Sequence, residues 1–444
     1  IFSCFRQNPN DDLSRGTPVS FRIAVFLLFI SCLPVSAGAQ SHQHEMFSKV
    51  LGDGWHLAGM AQARPTFNKT WSQKGTTHFD VASTHLTHTA VMLNLESTSR
   101  RLVLRLTTNF EGLTQRDGEV TLGSWGNGFI DSRHPHHLLH EAMASFNVFS
   151  SNGGGLSLSA GQGFAPYGTD DPMGRPSAKY PTNHHLSQIP ERFTLNAAWS
   201  KGAWILEAGV FGGSHSESPY DLSHIKSFGD SWSTRVSRRF GETAMGDGLW
   251  EFSLSHARVS HTASHKSALF NGALRYNGRV ANDQRLSGLM EYSWSDPSEN
   301  HMRGYWSFLT EAQWSTGKHN PYARFETSIR PEFQRGDGIS SSFFRYGHHT
   351  MANGATAWSI LSLGYGFASG IGAVSIRPFV EGQIISVANE RGNLIPRDLL
   401  GADSFTGVTV GMRLYFGGNP MRMGRYGILD PMTQMGRMQS MSGM

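Results

Sequence analysis

The stretch that decides the fold is VTVGMRLYF, residues 408–416, in which apolar side chains recur at every second position. Successive side chains of an extended chain point to opposite faces, so Val408 and Val410 share one face and Thr409 and Arg413 share the other. An alternation of period two over this length predicts a β-strand with one apolar face.

Fifteen other segments show comparable alternation, and together they predict sixteen strands. The predicted strands cover residues 55–63, 85–98, 100–112, 141–150, 155–164, 191–200, 202–213, 231–240, 248–259, 266–277, 284–295, 303–315, 320–332, 356–368, 373–388 and 404–417. Alternation alone fits a soluble β-sandwich as well as a membrane barrel, so the connections between the strands must decide.

The predicted connections alternate between short and long. The tight links SNGGG (151–155) and KG (201–202) are followed in turn by long links at 165–190 and 214–230. Short turns on one rim and long loops on the other are typical of outer-membrane barrels. The sequence therefore predicts an all-β fold, a transmembrane antiparallel up-and-down β-barrel of about 16 strands. Fourteen strands are the alternative, and a disordered Met-rich C-terminal tail follows the barrel.

The apolar run RIAVFLLFISCLPVSAGA (22–39) has the basic start, short apolar region and small-residue end of a signal peptide, so the mature chain is expected to begin at Gln40. Both cysteines, Cys4 and Cys32, precede that cut, and no disulfide framework is expected. The predicted domains are residues 1–39 (upstream residues and signal peptide), 40–54 (a periplasmic N-terminal segment), 55–417 (the barrel) and 418–444 (a Met-rich periplasmic tail).

The charge of the chain limits the kinds of partner that are expected. The formal net charge is +4, and no run of Lys and Arg could track phosphates, so nucleic acid is not an expected partner. A barrel of this kind belongs in the bacterial outer membrane, where its partners are the membrane lipid and the barrel assembly machinery. A homo-oligomer is compatible with the sequence. An even number of strands places both termini in the periplasm.

Two stretches resemble motifs of a group of uncharacterised, porin-like bacterial outer-membrane β-barrels: RHPHHLLHEAM (133–143) and GQGFAPYGTDDPMGRPSAKYPTNHHLSQIPER (161–192). The resemblance runs through most of the mature chain. It implies a barrel and a Gram-negative-type host, and it implies no activity.

Several histidines lie in the long links. Imidazole is a common metal ligand, so these links are candidate metal sites. The H-E-x-x-H pattern of zinc proteases fails, because Ala144 stands where its second histidine would be. A hydrogen-bonded constriction or plug loop is favoured over a metal site. We also expect residues 176–178 to reach the cell surface. The candidate loop ligands are His134, His136, His137, His140, His184 and His185.

Methionine recurs at every third position of the tail. Thioether sulfur is a soft ligand that selects Cu(I), so copper is the candidate cofactor, and no other is predicted. The alternative is a low-complexity tail without a ligand. The candidate ligands are Met432, Met435, Met438, Met441 and Met444.

The polar faces of the predicted strands carry charges of both signs. Sixteen strands leave room for an aqueous pore unless loops fill it, and the first functional hypothesis is a porin-like channel for small solutes or ions. A copper-handling barrel and a hydrolase at the barrel rim are the alternatives, and the chain is not expected to be an enzyme. The predicted lumen-lining residues are Arg105, Arg235, Glu251, Glu291, Glu311, Arg324, Glu326, Arg377, Glu381 and Arg413.

Overall fold

The computed structural model describes most of the predicted barrel and part of the tail. The described residues are 47–52, 54–72, 80–111, 137–151, 153–169, 172–213, 228–241, 248–260, 266–281, 284–297, 304–333, 352–371, 373–392, 395, 402–417 and 422–432.

Each of the sixteen predicted strands is present, and two short strands accompany them. The strands are β1 Phe47–Leu51, β2 Trp55–Ser72, β3 Asp80–Ser97, β4 Leu102–Asn109, β5 Leu139–Ser151, β6 Gly154–Gly163, β7 Arg192–Lys201, β8 Trp204–Gly212, β9 Phe228–Phe240, β10 Leu249–Ser260, β11 Lys266–Ala281, β12 Gln284–Pro297, β13 Tyr305–Thr316, β14 His319–Phe333, β15 Ala352–Phe367, β16 Ser369–Ile371, β17 Val374–Arg391 and β18 Ser404–Phe416.

The sheet closes into a barrel. Every pair of neighbouring strands is antiparallel, and β18 returns to β2, where Phe405 lies opposite Ser72 and Phe416 opposite Ala61. The wall has sixteen strands, because β16 continues the pairing of β15 along β17 and β1 adds only to one end of β2. Closure leaves no sheet edge bare in lipid, as a membrane-spanning sheet requires. None of the helices in the described ranges has the length and hydropathy of a transmembrane span.

The two rims differ as the connections predict. The turns β5–β6, β7–β8, β11–β12 and β13–β14 have two residues each and share one rim. Long connections share the other rim, among them residues 110–138, 164–191, 213–227 and 334–351. The chain therefore forms the predicted transmembrane up-and-down barrel.

Neighbouring residues of one strand face opposite surroundings. On β4, Leu104 and Leu106 are 37% and 41% exposed on the outer surface, whereas Arg105 and Thr107 are buried inside the barrel. Large apolar side chains occupy the outer surface on other strands too. They include Phe146, Leu158, Leu195, Val236, Phe252, Phe325, Leu361, Val380 and Val410. This is the apolar outer band that lipid requires.

β1 and β18 pair with the same side of β2, one after the other. β18 ends opposite Ala61, and β1 then pairs with Gly59 to Trp55 along the same side of β2. Gly417 turns the chain out of the sheet there with a φ of +80°. A Cβ at this position would lie 2.4 Å from the carbonyl oxygen of Gly59, so only glycine fits without a shift.

The expectation of a wholly disordered tail is wrong for residues 422–432. Tyr426, Ile428, Leu429 and Asp430 are buried, and the chain makes a short 3₁₀ turn at Gly427–Leu429. The remaining tail ligands, Met435, Met438, Met441 and Met444, lie outside the described residues.

Candidate functional site

A long loop lies inside the barrel. Residues 164–191, here called the lumen loop, connect β6 to β7, and those that the structure describes are nearly all buried. Ser177 and Ala178 are buried against the wall, so the expectation that residues 176–178 reach the cell surface is wrong. The loop crosses the lumen because its polar groups find partners on distant strands.

Acidic side chains of the wall bind the lumen loop. Arg175 pairs with Glu291 of β12, with 2.9 Å between Nη1 and Oε2. Lys179 pairs with Glu381 of β17, and the hydroxyl of Ser177 donates to Glu311 of β13. Burial lowers the pKa of the Lys179 ammonium to about 8, although the Glu381 carboxylate acts in the opposite direction. The loop therefore places its cations against the carboxylates of the wall.

Arginines of the wall satisfy the carbonyl oxygens of the lumen loop. Arg324 donates from Nη2 to the oxygen of Tyr180 at 2.7 Å, and Arg413 donates to that of Ser177 at 2.9 Å. Further contacts of this kind join Arg64 to Ala178, Arg235 to Gly168, Arg275 to Gly174 and Arg324 to Lys179. A buried carbonyl without a partner is costly, so these arginines make the irregular loop possible inside the barrel.

A second segment fills the end of the lumen near the short turns. Residues 422–432, here called the tail segment, are held at one side by Arg422, which donates to Glu251 over 2.7 and 3.0 Å, and by Arg425, which pairs with Glu207. Ile428 and Leu429 pack against Ala198 and Ile205 of the wall.

The other side of the tail segment is held by Asp430. Its carboxylate accepts from Arg105 Nη2 at 3.0 Å and from Asn94 Nδ2 at 2.9 Å. The hydroxyl of Tyr426 accepts the backbone N–H of Phe164 at 2.9 Å, which joins the tail segment to the lumen loop. The two segments therefore form one continuous filling inside the wall.

The predicted lumen-lining residues all point inward, but most of them contact protein rather than open space. Nine of the ten are buried, and Arg377, which donates to Gln313, is half-buried. Arg105 and Glu251 bind the tail segment. The lumen loop is bound by Arg235, Glu291, Glu311, Arg324, Glu326, Glu381 and Arg413.

The described loop histidines are buried, and each has a partner other than a metal ion. His137 hydrogen-bonds with Gln162 at 2.6 Å, His140 pairs with Glu191, and the ring of His184 lies 5.4 Å from that of Tyr180. Within the described part of the chain, no three His, Cys, Asp or Glu residues are grouped so that they could hold a metal ion. His134, His136 and the side chain of His185 lie outside the described residues.

Several residues that hold the filling lie outside the set predicted from the sequence. Arg425 and Asp430 are central to the tail segment, and Arg64 to the lumen loop, whereas Glu207, the partner of Arg425, was expected to face the lumen. One signal for an ordered segment is present in the sequence. The charges and the Ile-Leu pair of RMGRYGILD (422–430) interrupt an otherwise low-complexity tail.

Comparison with known proteins identifies structures of similar architecture but no family. No family model matches the chain, and no curated protein matches it. Among solved structures, outer-membrane-expressed OmpT of Vibrio cholerae is 11% identical, with a TM-score of 0.47 over 83% of this chain and 99% of that one. An anion-selective porin from Comamonas acidovorans is 12% identical, with a TM-score of 0.45 over 82% and 100%. OprB of Pseudomonas putida at high pH is 10% identical, with a TM-score of 0.45 over 82% and 94%. At these scores the fold assignment rests on the strand pairing and the apolar outer surface of the chain itself.

Proposed function

We propose that this chain is a porin-like outer-membrane channel for small solutes or ions, whose lumen the lumen loop and the tail segment hold closed. The observation that carries the proposal is the polar lining of the wall. Ser231, Ser233, Arg235 and Ser237 form the inner face of β9, and Ser253 and Ser255 continue it on β10. A wall that only had to pack against a permanent core would gain more from apolar side chains.

The wall is complete without the filling. β18 closes on β2 before the tail segment begins, and every wall strand pairs with wall strands on both sides. The tail segment is held through side chains and single backbone groups, such as Arg422 with Glu251 and Gly424 N–H with Glu141. It can therefore leave without breaking a strand pair, and water can replace its contacts with the polar wall.

An empty barrel of sixteen strands is wide enough for an aqueous channel. Its outer surface suits the bacterial outer membrane, with the short turns and both termini in the periplasm. Lipid and the barrel assembly machinery are the partners that this placement implies, and a homo-oligomer is compatible with it. A hydrolase at the rim has less support, because the His88–Glu111 and His140–Glu191 pairs are buried. We propose a channel and not an enzyme.

The test compares two truncations of the full chain in planar lipid bilayers. One ends after Met432 and keeps the tail segment, and the other ends after Gly418 and removes it. We expect the chain ending at Gly418 to conduct several-fold more than the full chain, and the chain ending at Met432 to match the full chain. Heat-modifiable mobility in a denaturing gel confirms that each barrel has folded. Folded barrels that give no current steps in any form would overturn the channel proposal.

A further inference from the structure

Five methionines belong to one buried cluster at the junction of the wall, the lumen loop and the tail segment. Met60 of β2, Met92 of β3, Met173 of the lumen loop, and Met423 and Met432 of the tail segment belong to one cluster of seven buried residues. Each is at most 6% exposed, and Ala90 and Phe164 complete the cluster. Five of the chain's 17 methionines therefore come together from four separate parts of the sequence.

Apolar packing alone does not account for this choice of residue. The cluster contains no Leu, Ile or Val, although these pack well in cores, and the branched residues among them are favoured in strands such as β2 and β3. Three other clusters of buried apolar residues in the described part of the chain contain no methionine. Two of them combine Leu with Ile, and the third consists of Leu and Ala. Methionine is concentrated at one place, and that place is the three-way junction.

The chemistry of the cluster favours a soft monovalent ion. Thioethers are soft, uncharged ligands that select Cu(I) among the common biological metals, and Ag(I) shares this preference. Uncharged ligands in a dry site offset a single positive charge more easily than a double one. Asp430 of the tail segment and its wall neighbours Glu141 and Arg105 together have a formal charge of −1. The backbone N–H of Met432 donates to Asp430 at 2.9 Å, which ties this charge to the cluster.

We propose that Met60, Met92, Met173, Met423 and Met432 form a binding site for Cu(I) or Ag(I) inside the barrel. The site is distinct from the methionine repeat that follows Met432, because it is built mainly from the wall and the two inserted segments. An ion that contacts all three parts binds only the closed arrangement. It therefore stabilises the closed lumen in proportion to its concentration.

The experiment measures Ag(I), and Cu(I) under reducing conditions, bound to the purified full chain in detergent against a competing chelator. The test variant is Met60→Leu/Met92→Leu, which keeps the volume of the cluster and leaves the tail unaltered. Its matched control is Met290→Leu/Met412→Leu on the outer surface. We expect one ion per chain, at least ten-fold weaker binding in the test variant, and unaltered binding in the control. Heat-modifiable mobility checks the fold of each.

Two further measurements locate the ion. The chain that ends after Met432 lacks the rest of the methionine repeat and should bind as the full chain does. X-ray absorption of the bound ion should show sulfur neighbours, with no nitrogen from the loop histidines. The proposal is overturned if the test variant binds as tightly as the full chain, if binding disappears with residues 433–444, or if the ion has nitrogen neighbours.

Discussion

Single residues show how finely the wall separates lipid from the interior. Leu106 and Thr107 are adjacent on β4, yet Leu106 lies on the lipid surface and Thr107 donates to buried Glu141 at 2.6 Å. The alternation of the sequence predicted which residue faces which side. It could not predict that the inner side would be filled with protein, because a polar side chain suits water and a polar partner equally well. Glu207, for example, gives no sign in the sequence that Arg425 will reach it from more than 200 positions away.

The substitution Leu106→Arg tests the lipid-facing assignment. It should destabilise the folded barrel by about 2–4 kcal/mol, because an arginine in the apolar band is costly. Leu51→Arg, the same change at the end of β1 beside the rim, should cost about 0–1 kcal/mol. Urea unfolding in lipid vesicles measures both. Equal losses at the two positions would mean that Leu106 does not face the apolar part of the membrane.

At the scale of elements, the strands were predictable and a plug or constriction loop was favoured, whereas the ordered tail segment was not predicted. All sixteen predicted strands are present, since period-two alternation depends only on the nearest neighbours along the chain. The tail segment carries no periodicity. It is ordered by contacts with β3, β4, β8 and β10, which are distant in sequence. The methionine repeat that begins at Met432 suggested disorder for the whole tail, because the sequence does not show the wall surface that the tail segment contacts.

Asp430 should act as the anchor of the tail segment. The substitution Asp430→Ala removes the ion pair between Asp430 and the buried Arg105. Arg105 then keeps its pair with Glu141, in which Nη1 and Oε2 are 3.8 Å apart. Breaking a buried ion pair in this way costs about 3–5 kcal/mol, so we expect the tail segment to undock while the barrel stays folded. Trypsin should then cut at Arg422 or Arg425 many times faster than in the unaltered chain. Asp296→Ala on the outer surface is the control, and equal cleavage rates in the two variants would contradict the anchor.

At the scale of the whole molecule, the unequal rims predict an orientation in the membrane. A peptide tag inserted at Gly317–Lys318, in the turn between β13 and β14, should be reachable only from the periplasm. A tag inserted beside Ile395, an exposed residue between β17 and β18, should be reachable from the cell surface. Antibody labelling of intact and of opened cells distinguishes the two. Both tags on one side would refute the arrangement of the strands.

Because β1 and β18 pair with the same side of β2, two segments that lie far apart in the gene depend on each other. β1 occupies the stretch of β2 that β18 would otherwise continue along, so the chain must leave the sheet at Gly417. A heritable change that lengthened or removed β1 would shift the residue at which the chain leaves the sheet. The tail that follows would then enter the barrel from a different position. We therefore expect natural variants of the two regions to be inherited as matched pairs, even though more than 350 codons separate them.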